Sequence, residues 1–407
     1  MKVPIPSVFL VHVFLRGGPQ KQSVGRLALQ DRQIVFEYSP EFLKTNLNLS
    51  PWKLPLKPGL ILSDATCFEG LFGLFNDSLP DGWGRLLLDR RLIQRGIHPS
   101  QLSPLDRLCY VGSHGMGALS YEPEIAAEGA QHTALIEQFD QIAAQTWHIQ
   151  NASDASNMDE LITLLSLSGS STGARPKIMM RYQEVDWLVK FRSLFDPIDI
   201  GPIEYAYHLM AKAAQLDVPE ARLFPSKNSP GYFGVQRFDR SAQYQCFHMH
   251  TMSGLLHADH RLPALTYETI LQVTAQLTRD TQESEKQFRA AAFNVLAHNR
   301  DDHAKNFSFV MDLQGRWKVS PAYDLTFSVG PGGEHCALIQ GEGKNPTRQH
   351  LLKLAASSQI PPQKAGEVLE RVRDAIARWP EYASIAGVSK RSSRLILKAL
   401  EAVQVRF

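Results

Sequence analysis

The stretch LAHNRDDHAKNFSFV, residues 296 to 310, crowds Arg300, Asp301, Asp302, His303 and Lys305 between short apolar runs. A carboxylate taken out of water costs several kcal/mol unless a counter-charge, hydrogen-bond donors or a metal ion compensates it. A chain with such a knot must line a polar cleft with it or expose it broadly. The rest of the sequence has to supply the partners.

Partners stand at defined spacings. Asn306 follows Asp301 by five positions, and Asp324, in SPAYDL, follows Asn306 by eighteen. Protein kinases place a catalytic Asp and a metal-holding Asn five apart, then a strand and a second metal-holding Asp. Phosphoryl transfer needs that order: hard oxygen ligands fix Mg²⁺ against the spreading negative charge, while a carboxylate orients the attacking hydroxyl. Upstream, SGSSTGARPK is a Gly-rich loop whose Gly169 and Gly173 permit the dihedrals of a phosphate-facing nest. Lys190 ends the strand-like WLVK, and Glu204 lies on the helix expected next, placed to pair with that lysine. The strand ending in Val235-Gln236-Arg237-Phe238 is then the hinge, with backbone groups reading adenine and Phe238 packing nearby. Each element alone is common in proteins of other kinds, and the ordered set carries the argument.

The 407 residues exceed one ordinary core and suggest two or three units at about 150 residues each. Apolar residues make up 43% and charged residues 21%, with no apolar run long enough to span a bilayer. The first residues, MKVPIPSVFLVHVFLRGG, read as a strand and turn and not as a signal peptide. Cys67, Cys109, Cys246 and Cys336 form no CxxC pair, so neither a disulfide framework nor a structural zinc is expected, and a reducing cytoplasm fits. A net charge of +2 gives no argument for a polyanionic partner. The basic tail from Ser389 reads as a solvated helix face.

Patterning divides the chain into three. Residues 1–122 alternate apolar and polar positions as half-buried antiparallel strands do, with a helix that stops near Gly96. Residues 123–238 begin with the amphipathic QHTALIEQFDQIAAQTW, break at IQNASDASN, where Asn157 can cap a helix, and continue through the strands IMMRY and WLVKF, a helix over 203–216 and YFGVQRF. Residues 239–407 are mainly helical. The fold expected is α+β, a protein-kinase-like bilobal fold with a small β-rich N-lobe, a mainly helical C-lobe and an additional β-rich N-terminal subdomain.

NRDDHAKNFSF, SPAYDL, GARPK, QRFDR and FNDSLPDG together resemble the HipA family of serine/threonine kinase toxins, over most of the chain. The resemblance implies ATP and Mg²⁺ as cofactors, Asp301 as general base, Asn306 and Asp324 as metal ligands, and Lys190 as the phosphate lysine. It places Ser171, Thr172, Gly173, Ala174, Gln236, Phe238, His303 and Lys305 around the nucleotide, and Ser170 at the inhibitory autophosphorylation site, with Ser168 and Ser171 as neighbouring alternatives. Implied partners are a protein substrate, for which an aminoacyl-tRNA synthetase is the candidate, and a small helix-turn-helix antitoxin through which DNA is mainly contacted. No membrane partner is implied. Gln236 stands where an acid is expected in the hinge, and Asn299 replaces the histidine of the usual H-R-D motif, which argues against a eukaryotic-type kinase.

Two other functions compete. Asp301, Asp302 and His303 are also the residue types of a metal-dependent phosphohydrolase or nuclease, which needs more ligands than the irregularly spaced His248, His250, His257 and His260 offer. A kinase-like fold used only for binding is the third, against which the retained Lys190, Asp301, Asn306 and Asp324 argue. Asp302 matches no base or metal position, so Asp302→Asn is expected to be far milder than Asp301→Asn.

Overall fold

The computed structural model describes residues 8–125 apart from 19 and 32, then 134–151, 158–168, 173–241, 245–261 apart from 260, and 265–407. Its first sheet is antiparallel and joins β1 (Leu10–Leu15), β2 (Gln22–Gln30), β3 (Gln33–Tyr38), β4 (Leu60–Leu62) and β5 (Leu119–Glu122) in the order β4-β3-β2-β1-β5. The alternation in β1 is used as expected, since Val11, Val13 and Leu15 face the core. Helix Gly82–Gln94 follows, ending where Gly96 turns the chain at a φ of +74°. Helix Pro104–Val111 is started by a reciprocal cap between Ser103 and Asp106.

The second sheet is also antiparallel. It contains β6 (Lys177–Tyr182), β7 (Val185–Lys190), β8 (Ala221–Phe224) and β9 (Tyr232–Gln236) in the order β6-β7-β9-β8. Phe139, at the start of helix Phe139–Asn151, meets Phe191, Phe224 and Tyr232 edge-on at centroid separations of 6.0, 5.4 and 6.0 Å. That helix runs through Ile149, Gln150 and Asn151, so the expected break begins later than the sequence suggested; Asn157 lies outside the described residues. The helix expected over 203–216 is Ile200–Ala213, because Pro202 is tolerated in its first turn.

The third part holds the small sheet β10 (His248–Thr251), β11 (Ser308–Met311) and β12 (Trp317–Val319), and six longer helices from Tyr267–Thr278 to Lys390–Gln404. The last helix buries Ile396, Leu400 and Val403, while Lys390, Arg391, Arg394 and Lys398 face solvent. Among the described residues no helix is long and apolar enough to cross a membrane.

The N-terminal unit is built into both others. Val11, Phe36 and Tyr121 share a core with Phe288, Leu296 and Trp379 of the helical part, whereas Trp83 and Leu87 pack into the core of the second sheet with Ile178 and Val189. Polar contacts reinforce this. Asp239, just after β9, is fully buried and accepts from Arg237 Nη2 at 2.7 Å, Arg240 Nη1 at 2.7 Å and the backbone N–H of Gly117 at 2.7 Å. Burial opposes its charge, but the two guanidiniums prevail and hold the carboxyl down to about 2.

Candidate active site

Lys190 is the last residue of β7 and is turned inward. Its ammonium lies 2.5 Å from Asp324 Oδ1 and 3.2 Å from Glu204 Oε2. Three distant segments thus converge on one charge: a strand end, the helix Ile200–Ala213 and the loop after β12. Burial disfavours the ammonium, but Asp324 and Glu204 outweigh it and raise the Lys190 pKa. Burial likewise opposes the Asp324 carboxylate, and Lys190 with Lys177 drives its pKa below the ordinary range. Glu204 is shared with Arg175, whose Nη1 lies 2.8 Å from Oε1 and whose other edge grips Asp196. The Lys–Glu pair expected from the sequence is present, and Arg175 extends it.

Asp324 occupies left-handed backbone, φ +53°, in the sparse region for a non-glycine residue. This turns its carboxylate back toward Lys190. The preceding Tyr323 stacks on Phe238 with centroids 5.6 Å apart and donates from Oη to the carbonyl of Lys305 at 2.5 Å. Phe238, Gln236, Leu188 and Val235 line the same cleft as Lys190 and Asp324. The hinge residues therefore lie where a planar base is expected.

On the charged stretch itself, Ala304–Asn306 is a single 3₁₀ turn capped by His303, whose Nδ1 accepts from the Lys305 N–H at 3.2 Å. Asn306 Nδ2 donates to the Asp301 carbonyl at 2.6 Å. That bond fixes the amide with its oxygen pointing elsewhere, as a hard cation requires. Asn306 and Asp324 supply neutral and anionic oxygens of the kind that suit Mg²⁺. Asp301 is exposed, with the His303 ring Nε2 3.8 Å from Oδ1, so its carboxylate is open to an incoming group.

Asp302 is not a bystander. It is buried and accepts from Tyr267 Oη at 2.7 Å, His335 Nδ1 at 2.8 Å, Cys336 N at 2.7 Å and Ala337 N at 3.4 Å. The expectation of a mild Asp302→Asn is thereby revised for stability: the residue pins the segment after Asp324 to the catalytic loop.

The expected nucleotide loop is described only at its edges. Ser170, Ser171 and Thr172 lie outside the described residues, whereas Gly173 adopts φ +99° and Ala174 is exposed. Ser168 ends its helix fully buried, donating to the Lys177 carbonyl at 2.9 Å and accepting from Trp83 Nε1 at 3.1 Å. Its hydroxyl is not available in this conformation. Lys305, expected beside the phosphates, pairs with Asp81 Oδ2 at 2.7 Å. Asp81, Arg175 and Lys177 were not singled out from the sequence. Arg175 and Lys177 stood within the GARPK run, and Asp81 within SLPDGWG, a turn with no distinguishing charge pattern. Burial lowers the pKa of Lys177, which lies on β6 beside the Lys190–Asp324 pair.

The histidines that a hydrolase would need are engaged elsewhere. His250 bridges Asp77 Oδ2 at 2.6 Å and Ser50 Oγ at 3.0 Å, and His248 Nε2 lies 3.0 Å from the Leu49 carbonyl. His260 lies outside the described residues. Among the described residues Asp64, Cys67 and His257 bring potential ligand atoms within 4.8 Å of one another. However, His257 Nε2 accepts from Gly73 N at 3.0 Å, so in the neutral ring Nδ1 carries the proton and cannot ligate.

Fold and site together define a two-lobed, protein-kinase-like α+β protein with a fused β-rich N-terminal subdomain. Residues 13–122 match the HipA N-terminal domain and residues 169–379 the HipA-like C-terminal domain, and the chain belongs to the HipA family. A chain of the HipA, HipB and operator DNA complex of Shewanella oneidensis MR-1 superposes with a TM-score of 0.69 over 96% of both chains, at 16% identity, which shows a common fold. A candidate kinase of Haemophilus influenzae is 27% identical over 141 residues, or 31% of this chain and 41% of that protein. The chain thus spans about two-fifths of that relative's length.

Proposed function

We propose that this chain is an ATP- and Mg²⁺-dependent serine/threonine protein kinase that acts in the cytoplasm as the toxin of a toxin–antitoxin pair. The observation that carries the reading is the Lys190 ammonium held between Asp324 and Glu204 beside a loop that presents Asp301 and Asn306. The kinase name of the Haemophilus relative supports it, as do HipB and operator DNA in the Shewanella complex, which favour a small DNA-binding antitoxin as partner. The substrate we infer is a translation-related protein, with an aminoacyl-tRNA synthetase as the candidate.

When bound, Mg²⁺·ATP supplies the phosphoryl group and neutralises part of its charge. Asn306 and Asp324 would hold the metal. Lys190 would reach the phosphates by yielding part of its contact with Asp324, with Glu204 keeping its ammonium aligned. Asp301 accepts the proton of the substrate hydroxyl, which its exposure allows. With nucleotide bound, Gln236 and Phe238 would face the base from the hinge, His303 and, on parting from Asp81, Lys305 would offset phosphate charge, and Ser171, Thr172, Gly173 and Ala174 would form the covering loop. Ser170 is the proposed inhibitory autophosphorylation site, and the buried, bonded hydroxyl of Ser168 argues against that alternative.

The test is transfer from γ-labelled ATP with Mg²⁺, beside Asp301→Ala and Asp324→Ala, with the modified serine located by mass spectrometry. Label on the wild type alone, at Ser170, is expected. ATP binding without transfer would indicate a binding module, and nucleic-acid cleavage without ATP the hydrolase.

A further inference from the structure

Asp199 stands at the entrance of helix Ile200–Ala213, the helix that carries Glu204, yet its carboxylate does not cap that helix. It is 2% exposed and caps another. Oδ2 accepts from Ser389 N at 2.8 Å and Oδ1 from Ser392 Oγ at 2.9 Å, at the first turn of helix Lys390–Gln404. A carboxylate is favoured there, because the first N–H groups of a helix lack intrahelical acceptors and form its positive end. The Ser389 hydroxyl, which accepts from Ser392 N at 3.1 Å, completes the cap locally. Further along the helix of Glu204, the buried Tyr207 donates from Oη to the Ala297 carbonyl at 2.8 Å and meets Trp379 edge-on at 5.4 Å. Ala297 closes helix Thr281–Leu296, just ahead of the loop that carries Asp301. The helix is thus pinned to the helical lobe at two points, and Glu204 lies between them.

At a rise of 1.5 Å per residue Glu204 sits about 7.5 Å along the axis from Asp199. A helix held at Tyr207 alone can pivot, and Glu204 moves with its free N-terminal end. We propose that Asp199 is a positioning residue: by capping the last helix it fixes the helix of Glu204 and so sets the place of the Lys190 ammonium. This rests on the kinase reading for its catalytic consequence, but control of Lys190 is a property of the protein without nucleotide. The Lys190–Glu204 contact is the longer of the lysine's two, 3.2 Å against 2.5 Å to Asp324, so a pivot loosens it first. The ammonium is then left to Asp324, the carboxylate proposed for the metal, and lysine and metal compete for one group.

The experiment uses the full chain as wild type, Asp199→Asn, Ser392→Ala and Ser392→Thr. Without nucleotide, acetylation of Lys190 by acetic anhydride is followed by mass spectrometry, with Lys177, which lines the same cleft, as the control for access. Then kcat and the ATP KM are measured with Mg²⁺. Only the neutral amine reacts, so withdrawing one of the two carboxylates that stabilise the ammonium speeds labelling. Asp199→Asn and Ser392→Ala are expected to raise the Lys190 rate relative to Lys177 at least threefold. They should also lower kcat at least fivefold, with the ATP KM changed less than threefold. Ser392→Thr keeps the hydroxyl and should recover most of both. A variant with a lower thermal midpoint but unchanged Lys190 labelling and kcat overturns the proposal and leaves Asp199 a structural cap. If Asp199→Asn does not fold, Ser392→Ala, which removes one hydroxyl from a half-buried position, decides in its place, and unchanged labelling there overturns the proposal. A wild type that transfers no phosphate from ATP overturns the kinase reading, while the labelling still decides whether Asp199 places Lys190.

Discussion

Adjacent acids in the catalytic loop should separate stability from activity. Asp302 accepts four hydrogen bonds in a buried position, two on each oxygen. Replacing it with Asn leaves one oxygen and turns an N–H₂ group toward donors. If the amide oxygen keeps Cys336 N and Ala337 N, then Tyr267 Oη and His335 Nδ1 face a donor. The tyrosine hydroxyl and the histidine tautomer can each readjust, but neither regains a charged acceptor. Each buried donor left unpaired costs about 1–3 kcal/mol, so Asp302→Asn should destabilise the protein by about 2–5 kcal/mol. Asp301 is exposed and, among the described residues, has no Lys or Arg ion pair, so Asp301→Asn should change stability by less than about 0.5 kcal/mol while abolishing transfer. Urea denaturation followed by tryptophan fluorescence, together with γ-label transfer, reads both. An Asp302→Asn protein as stable as the wild type, or an Asp301→Asn protein that is several kcal/mol weaker, would refute the assignment of structural and chemical roles to these neighbours.

Two further outcomes follow from buried charge. Lys190→Met strips Asp324 and Glu204 of their shared cation; with Arg175 still on Glu204, the loss should be about 3 kcal/mol in the same denaturation assay, and a variant of wild-type stability would contradict the buried-pair reading. His248 has its pKa pushed down to about 3, chiefly by burial, and unfolded it titrates near 6.5. The folded pKa is the lower one, so its contribution is complete above about 6.5 and is lost as pH falls toward 3. Between pH 7.5 and 5.5 that loss is about 1.4 kcal/mol. His248→Gln keeps a donor for the Leu49 carbonyl, and its denaturation midpoint should fall less over this interval; an unchanged slope would remove His248 from the account.

Much of the site was legible because kinase-like chemistry writes its requirements locally. Asn306 bonds the Asp301 carbonyl five residues back, so their spacing is a geometric constraint that the sequence must keep. Lys190 and Glu204 were found because a strand end followed by a helix predicts which side chains converge. Asp324 was found as an acid after a strand, though its left-handed backbone was invisible beforehand. The failures share one cause. Asp302 looked idle because its donors Tyr267 and His335 lie 35 and 33 positions away, and Asp81 was passed over because Lys305 lies 224 positions away. Neither pair leaves a periodic or compositional trace. The three-part division was likewise visible as a change of pattern, whereas the sharing of cores by Trp83 with the second sheet and Tyr121 with the helical part arises only on packing.

The N-terminal subdomain is tied to the kinase-like body through three carboxylates of different accessibility. Asp77 accepts from His250 Nδ1, Thr251 N and Thr251 Oγ1 at 2.6–2.7 Å, fastening the subdomain to the helical lobe. Asp239 reaches Gly117 N while its partner Arg240 donates to the carbonyls of Gly115 and Gly117, which fastens the hinge to the subdomain. Asp81 joins the subdomain to the nucleotide loop and Lys305. The side chains of Asp239 and Asp77 are 0% and 7% exposed, whereas that of Asp81 is 21% exposed. Breaking the first two strands buried charge away from water, which is the expensive case, while the Asp81 carboxylate can exchange its partners for solvent.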